Sequence, residues 1–292
     1  MTAAAAGSIE LGDLSIHRLG YGAMRLTGPG IVGPPPDLAA ARATLRALPE
    51  LGIDFVDTSN AYGPLISEAL IREALHPYRG IAVATKGGLL RPGPNQWVTD
   101  CRPKALRAAV ENSLKILGVD RIDLWQLHRI DPAVPLDDQL GAVAELQREG
   151  KLRNVGLSNV RLEHVEAARK HFTVASVQNR YHLIDRASDP VLARCEKLGI
   201  PLIAYFPLAT GALAQPDSIL ARVAADIGIT PGQAALAWLL RRSPVLVAIP
   251  GTNQPDHLRE NVAAASVRLT DEQVAAIDRV GRKAALLRAP QP

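Results

Sequence analysis

What most restricts the fold of this chain is a recurring order of segments. Between residues 19 and 264 a short apolar, β-prone run, a loop and a helical stretch follow one another eight times. The runs are Leu19–Met24, Ile53–Asp57, Ile81–Lys86, Ile122–Leu127, Asn154–Ser158, Val174–Gln178, Pro201–Tyr205 and Val245–Ile249. The helical stretches lie near 38–50, 66–76, 103–117, 136–149, 161–171, 188–198, 231–242 and 255–264. Strands that read as nearly continuous apolar runs belong to a parallel sheet covered on both faces. The spacing is too irregular for a solenoid repeat. No linker or shift of composition divides the chain, so the expectation is one α/β domain over residues 1–292, a single (β/α)8 TIM barrel of a size such barrels commonly have.

Segments outside this count have their own readings. Ile9 and Leu11, then Gly12-Asp13, then Leu14 and Ile16, predict an N-terminal β-hairpin with a II′-type turn. Asp217–Asp226 and Asp271–Val280 predict extra helices outside the barrel, and residues 1–8 are expected to form a flexible tail. Asp37, Ser67 followed by Glu68, and Thr230-Pro231 read as helix starts. The connections Thr27–Pro36 and Gly87–Asp100 are long and rich in Gly and Pro, whereas Gly118-Val119-Asp120 and Leu198-Gly199 are tight. Long connections after strands mark the rim where barrel enzymes keep their chemistry.

Charge and cysteine content exclude several functions. The formal net charge is +4 and the pI near 9.2, but Lys and Arg alternate with acids and form no basic stripe, which speaks against nucleic-acid binding. Cys101 and Cys195 make no C-x-x-C pair and read as reduced thiols. Met1–Ser8 lacks the charged start of a signal peptide, and no run approaches the roughly 20 apolar residues of a membrane span. A cytoplasmic protein off the membrane is expected. No H-E-x-x-H, paired-cysteine set or G-x-S-x-G elbow is present, so no metal site or serine hydrolase is predicted.

Four residues gain meaning from the barrel. Asp57 closes the second run, Tyr62 lies in the loop after it, Lys86 closes the third run and His128 follows the fourth. Alone, each has an ordinary reading: a strand-end acid, a loop phenol, a rim salt bridge, a satisfied core histidine. On neighbouring parallel strands all four reach the same rim. A free tyrosine, with a pKa of about 10, is a poor acid at neutrality. An ammonium beside it favours the phenolate, and Asp57 keeps that ammonium charged. The phenol can then serve as general acid for a carbonyl oxygen that receives a hydride, with His128 donating a hydrogen bond to the same oxygen.

These residues lie in motifs. Gly52-Ile53-Asp54-Phe55-Val56-Asp57-Thr58-Ser59-Asn60-Ala61-Tyr62-Gly63, Ala84-Thr85-Lys86, Ile122-Asp123-Leu124-Trp125-Gln126-Leu127-His128, Gly156-Leu157-Ser158-Asn159 and Glu260-Asn261 occur in that order. Over essentially its whole length the chain resembles the aldo-keto reductases. The resemblance implies NADPH-dependent reduction of aldehydes and ketones to alcohols by hydride transfer, with Asp57, Tyr62, Lys86 and His128 as catalytic tetrad. It also implies a small-molecule carbonyl substrate, a monomer, and an extended nicotinamide dinucleotide bound without a Rossmann unit. Gly20-Tyr21-Gly22-Ala23-Met24-Arg25 indeed begins like G-x-G-x-x-G and breaks at Arg25.

By the same resemblance Gly22, Met24 and Asp57 border the cofactor. Ser158, Asn159 and Gln178 hold the carboxamide, Tyr205 stacks on the nicotinamide, and Phe206 with the loop Leu208–Gly211 follows the pyrophosphate. Gly251, Thr252, His257, Glu260 and Asn261 surround the adenosine end, at a helix start suited to phosphate. Here the chain departs from the family: Gly251 and His257 stand where a lysine and an arginine often hold the 2′-phosphate. NADPH remains the expectation, with NADH as the alternative. Met24, Tyr62, Trp97, His128 and Arg129 are the expected substrate contacts, with Leu89 and Phe206 as further apolar wall. Gly87-Gly88 replace a bulky aromatic common in relatives, and the short stretch after the last helix predicts a short C-terminal lid. Arg25, Arg91 and Arg129 in rim loops raise the idea of an anionic substrate; solvated loop arginines are the preferred reading.

Two rival functions are compatible with a barrel carrying a rim lysine. A Schiff-base aldolase would use a neutral Lys86, which Asp57 opposes. A regulatory barrel resembling the voltage-gated potassium-channel β subunits would hold cofactor and serve a partner; the lack of an extended N-terminal arm argues against it.

Overall fold

A computed structural model describes residues 1–288. Strands β1 (Ser8–Leu11) and β2 (Leu14–His17) pair antiparallel, with Gly12 at φ +63°, the sign a II′-type turn requires at its first position. Then come β3 (Tyr21–Gly22), α1 (Leu38–Arg46), β4 (Phe55–Asp57), α2 (Ile66–Leu75) and β5 (Ala82–Gly87). A small hairpin of β6 (Leu89–Leu90) and β7 (Val98–Thr99) precedes α3 (Pro103–Leu117), β8 (Ile122–Leu127), α4 (Leu136–Arg148), β9 (Leu152–Ser158), α5 (Leu162–Ala168) and β10 (Val174–Arg180). The chain continues through α6 (Asp189–Leu198), β11 (Leu202–Tyr205), α7 (Ala221–Ile227), α8 (Pro231–Arg242), β12 (Leu246–Ala248), α9 (Pro255–Ala263) and α10 (Asp271–Arg288).

Strands β3, β4, β5, β8, β9, β10, β11 and β12 lie side by side in that order, each pair parallel. Leu19 bridges to Ala248 in the same sense, and Gly20 N–H donates to Ala248 O at 2.9 Å, so the ring closes. The fold is a (β/α)8 barrel with an N-terminal hairpin and extra helices α7 and α10, as the alternation of runs predicts. Among the described residues, no single helix is long and apolar enough to cross a membrane.

The barrel interior changes character along its axis. Its lower half is an apolar cluster of Phe55, Ala84, Leu124, Ala175, Ile203 and Val247, and Leu11 and Ile16 of the hairpin pack against it to fill the lower mouth. Because side chains alternate along a strand, the next inward positions on β4, β5 and β8 are two residues on: Asp57, Lys86 and Gln126. The interior thus turns polar at the strand ends, where the long loops lie.

Three expectations change. The first run is strand only at Tyr21–Gly22; Ala23–Leu26 form a 3-10 turn that folds over the rim. Ser67 is not a helix cap: α2 starts after Leu65, whose φ is +64°. Ser67 Oγ instead accepts from Thr58 Oγ1 at 2.8 Å and donates to Ala23 O at 3.2 Å, while buried Glu68 accepts from Thr85 Oγ1 at 2.6 Å. Their polarity serves the interior behind the rim, which local helix-start rules do not register. Residues 1–8 are not a loose tail either. Ala3–Ala6 form a 3-10 turn with Ala3 buried, Ala3 N–H donates to Leu51 O at 2.9 Å, and Ser8 begins β1. Asp37 and Thr230 do cap, accepting from Ala40 N and Gln233 N at 2.8 and 3.2 Å.

Candidate active site

The site starts at the upper end of β4. Asp57 is the last residue of that strand, and the turn after it is closed by Tyr62 N–H donating to Ser59 O at 3.0 Å, which returns the phenol over the strand end. Lys86 reaches the same place from β5. His128 extends the β8 ladder by one step, its N–H donating to Gly87 O at 2.9 Å. All four predicted side chains are brought together, and all four are buried.

Lys86 Nζ donates to Asp57 Oδ1 at 2.5 Å and to Thr58 O at 2.8 Å. Asp57 Oδ2 accepts from Gln178 Nε2 at 2.8 Å and Gln126 Nε2 at 3.1 Å. Both carboxylate oxygens are therefore engaged, which a buried charge needs. The ammonium stands 5.3 Å from the Tyr62 ring centroid, and the Tyr62 and His128 rings meet edge to face, 6.1 Å apart.

The electrostatics correct one expectation. Burial pushes the Tyr62 phenol above its ordinary value, and the opposing pull of Lys86 does not overcome it. The phenol is held protonated, not made acidic in advance. Burial also disfavours charge on Lys86, but Asp57 and the phenol outweigh it, and the lysine pKa lies above its usual value. His128 is pushed well below its usual value by burial, then by the charges of Lys86 and Arg129, so it is neutral at neutral pH. Its Nδ1 is 3.2 Å from Ser59 Oγ, which itself accepts from Ala61 N–H at 3.1 Å. The Ser59 hydroxyl has two acceptors in reach, His128 Nδ1 and, farther off at 3.4 Å, Asn60 Oδ1; given to the nearer Nδ1, its hydrogen leaves the imidazole proton on Nε2 as a donor.

Above these groups opens a cavity of about 320 Å³. Gly22, Met24, Ser158, Asn159, Gln178, Tyr205, Phe206, Leu208, Gly211 and Gly251 border it, as do Trp97 and Arg129. Thr252, His257, Glu260 and Asn261 do not; they lie beyond Gly251, on α9 or the loop that opens it. Tyr21 OH donates to Thr252 O at 2.5 Å, and Glu260 accepts from Thr230 Oγ1 at 2.6 Å, tying that loop and helix to the barrel. Arg25 Cγ comes within 3.7 Å of where a Cβ on Gly251 would sit, so Arg25 belongs to this end.

The donor set fits a nicotinamide dinucleotide. Gln178 donates its amide hydrogens to Asp57 Oδ2 and, at 3.5 Å, to Gln126 Oε1, leaving its carbonyl oxygen to accept, and Ser158 offers a hydroxyl beside it. Asn159 is more committed than expected. Its Nδ2 donates to His128 O and Ser158 Oγ at 3.1 and 3.0 Å, and its Oδ1 accepts from Tyr205 OH at 2.7 Å. One lone pair on that oxygen remains for a ligand. Gly211, at φ +103°, has no atom within 4 Å of a would-be Cβ, so backbone lies open to the cavity there.

Gln126 and Ser59 have no role in the sequence reading beyond their motifs. Gln126 carried a signal: it shares the period-two face of Leu124 and His128 in an otherwise apolar run. Arg91, expected in solvent, is buried, stacked on Trp97.

The sequence profile of the family described as "Aldo/keto reductase family" matches residues 18–282. A Schizosaccharomyces pombe protein named an uncharacterized oxidoreductase is 50% identical over 280 residues, 96% of this chain and 92% of that one. Pyridoxine 4-dehydrogenase of Escherichia coli (strain K12) is 40% identical over 283 residues, 94% of this chain and 99% of the relative. Among solved structures, the glycerol dehydrogenase of Gluconobacter oxydans superposes with a TM-score of 0.85 at 26% identity, covering 98% and 97% of the two chains. An aldo-keto reductase of Klebsiella pneumoniae in complex with NADPH gives 0.77 at 28% identity, covering 94% of each.

Proposed function

Since this chain belongs to the aldo/keto reductase family and is an NAD(P)H-dependent oxidoreductase, we propose that it reduces small aldehydes and ketones with NADPH, Tyr62 acting as general acid. The observation that carries this reading is the buried Asp57–Lys86 pair beneath a protonated phenol and a neutral imidazole, all facing one cavity. The bound nicotinamide supplies the hydride. His128 Nε2–H orients and polarises the carbonyl, and Tyr62 passes its proton to the carbonyl oxygen as negative charge develops there. Lys86 then faces a forming phenolate, and its charge favours that product. Ser158, Gln178 and the remaining lone pair of Asn159 suit the carboxamide, and Tyr205 the ring face.

NADPH is proposed over NADH on the donors that follow Gly251. Thr252 Oγ1 accepts from Gln254 N–H at 3.1 Å and keeps its hydrogen to donate; exposed His257 and the start of α9 add donors and a favourable dipole. Equal kcat/KM with NADH would overturn that choice. The relative named for pyridoxine makes pyridoxal the first aldehyde to try. A Schiff-base role for Lys86 finds no support, since its raised pKa opposes the neutral amine that chemistry needs.

The direct test is a panel of pyridoxal, benzaldehyde, aliphatic aldehydes and simple ketones, followed by NADPH absorbance. Broad aldehyde turnover is expected; tight NADPH binding with no turnover of any member would favour the partner-binding barrel instead. The pH profile adds a second check. Reduction needs Tyr62 protonated and His128 neutral. The first condition fails only as pH rises past a value above the ordinary 10.0, and the second only as pH falls below the ordinary 6.5. A flat kcat/KM between those limits is expected, and a descending limb near pH 7 or 8 would contradict the protonated phenol.

A further inference from the structure

Arg91 is the least expected side chain near the cavity. It is 5% exposed, yet Nε and Nη1 have no hydrogen-bond partner and Nη2 donates only to Gly30 O. No carboxylate pairs with it among the described residues. A guanidinium so placed costs stability unless its flat face is used. Here that face lies on the Trp97 indole, 3.7 Å from the ring centroid. Trp97 itself is 38% exposed and borders the cavity, its ring centroid 6.4 Å from that of His128, while Arg91 does not reach the cavity wall.

The anchor is shared between two rim loops. Gly30, in the loop after β3, accepts from Arg91 and from Asn95 N–H at 3.4 Å, and a Cβ on Gly30 would come within 2.9 Å of Pro94. The segment between β6 and β7 is thereby pinned to the loop across the rim. One indole face is covered by the guanidinium, the ring cannot tilt without breaking that stack, and its cavity side faces the place where a carbonyl would meet Tyr62 and His128.

We propose that Arg91 is a specificity-determining residue, holding Trp97 as a fixed platform on which a planar aromatic aldehyde stacks while its carbonyl reaches Tyr62. This rests on the reductase reading above and adds to it the class of substrate. A flat ring can lie on the indole with offset-stacking geometry; a puckered saturated ring of the same carbon count cannot.

The test compares benzaldehyde with cyclohexanecarboxaldehyde in the parent, Arg91→Ala, Arg91→Lys and Trp97→Phe. The ratio of their KM values cancels any common change in the chemical step. The parent is expected to favour benzaldehyde by roughly tenfold in KM. Arg91→Ala should bring the ratio near one by weakening benzaldehyde alone, and Arg91→Lys should not restore it, because an ammonium keeps the charge but not the flat stack. Trp97→Phe should leave an intermediate ratio. Quenching of tryptophan fluorescence by each aldehyde measures the same preference without turnover, so a chain that reduces neither still reports on the platform. The proposal is overturned if the parent shows no preference, if Arg91→Ala keeps it, if both aldehydes weaken equally, or if only 4-carboxybenzaldehyde, included as a probe, is lost, which would make Arg91 an anion site.

Discussion

Tyr62→Phe is expected to lower kcat for aldehyde reduction by about a thousandfold, within the range a positioned general acid supplies, while the Kd for NADPH stays within about twofold. The substitution removes one oxygen from a buried ring and keeps its contacts with His128 and Lys86, so the barrel should fold unchanged. No neighbour can replace the lost proton. His128 is neutral, with its remaining hydrogen used to orient the carbonyl, and Lys86 is committed to Asp57 and Thr58 O. Steady-state kinetics beside a cofactor fluorescence titration decide the matter. A mutant within tenfold of the parent rate would remove Tyr62 from the chemistry.

Lys86→Met should be as damaging to rate and also costly to the fold. Methionine fills much of the same space but leaves Asp57 ionised in a buried site with only the amides of Gln126 and Gln178 to hold it. Breaking a buried pair by deleting one partner costs roughly 3–5 kcal/mol. The phenol also loses the nearest charge that favours its ionised form, so burial and the Asp57 charge act on it against the weaker pull of Arg91 alone. Urea unfolding at pH 7 measures the first effect. The second appears as loss of kcat that added alkali does not recover. If Asp57→Asn introduced into Lys86→Met gave no recovery of stability, the loss would not come from the stranded carboxylate.

How much of this could be read from residues alone follows from the range of the forces involved. The barrel was legible because each apolar run and each helical stretch is a local pattern, and eight such units leave few other ways to bury both faces of a parallel sheet. The tetrad was legible because strand ends are local too, and parallel neighbours deliver their ends to one rim. What was not legible depends on contacts distant in sequence. Ser67 and Glu68 look like the start of a helix until Thr58, Ala23 and Thr85 are seen to receive them. Asn159 looks like a free ligand for a carboxamide until Tyr205 and His128 engage its side chain. Arg91 looks solvated because nothing near it in sequence states that Gly30, in another rim loop, receives its guanidinium. The direction of the phenol shift is hidden from the sequence for a related reason: the attraction of Lys86 is visible in a motif, whereas the depth of burial that exceeds it is not.

The hairpin beneath the barrel has a kinetic consequence. With Leu11 and Ile16 seated against Phe55 and its neighbours, the lower end is stoppered, and all traffic passes the upper rim. On the proposed reading the nicotinamide lies against Ser158 and Gln178, and a cofactor so placed must arrive before the molecule that rests on it and depart after it.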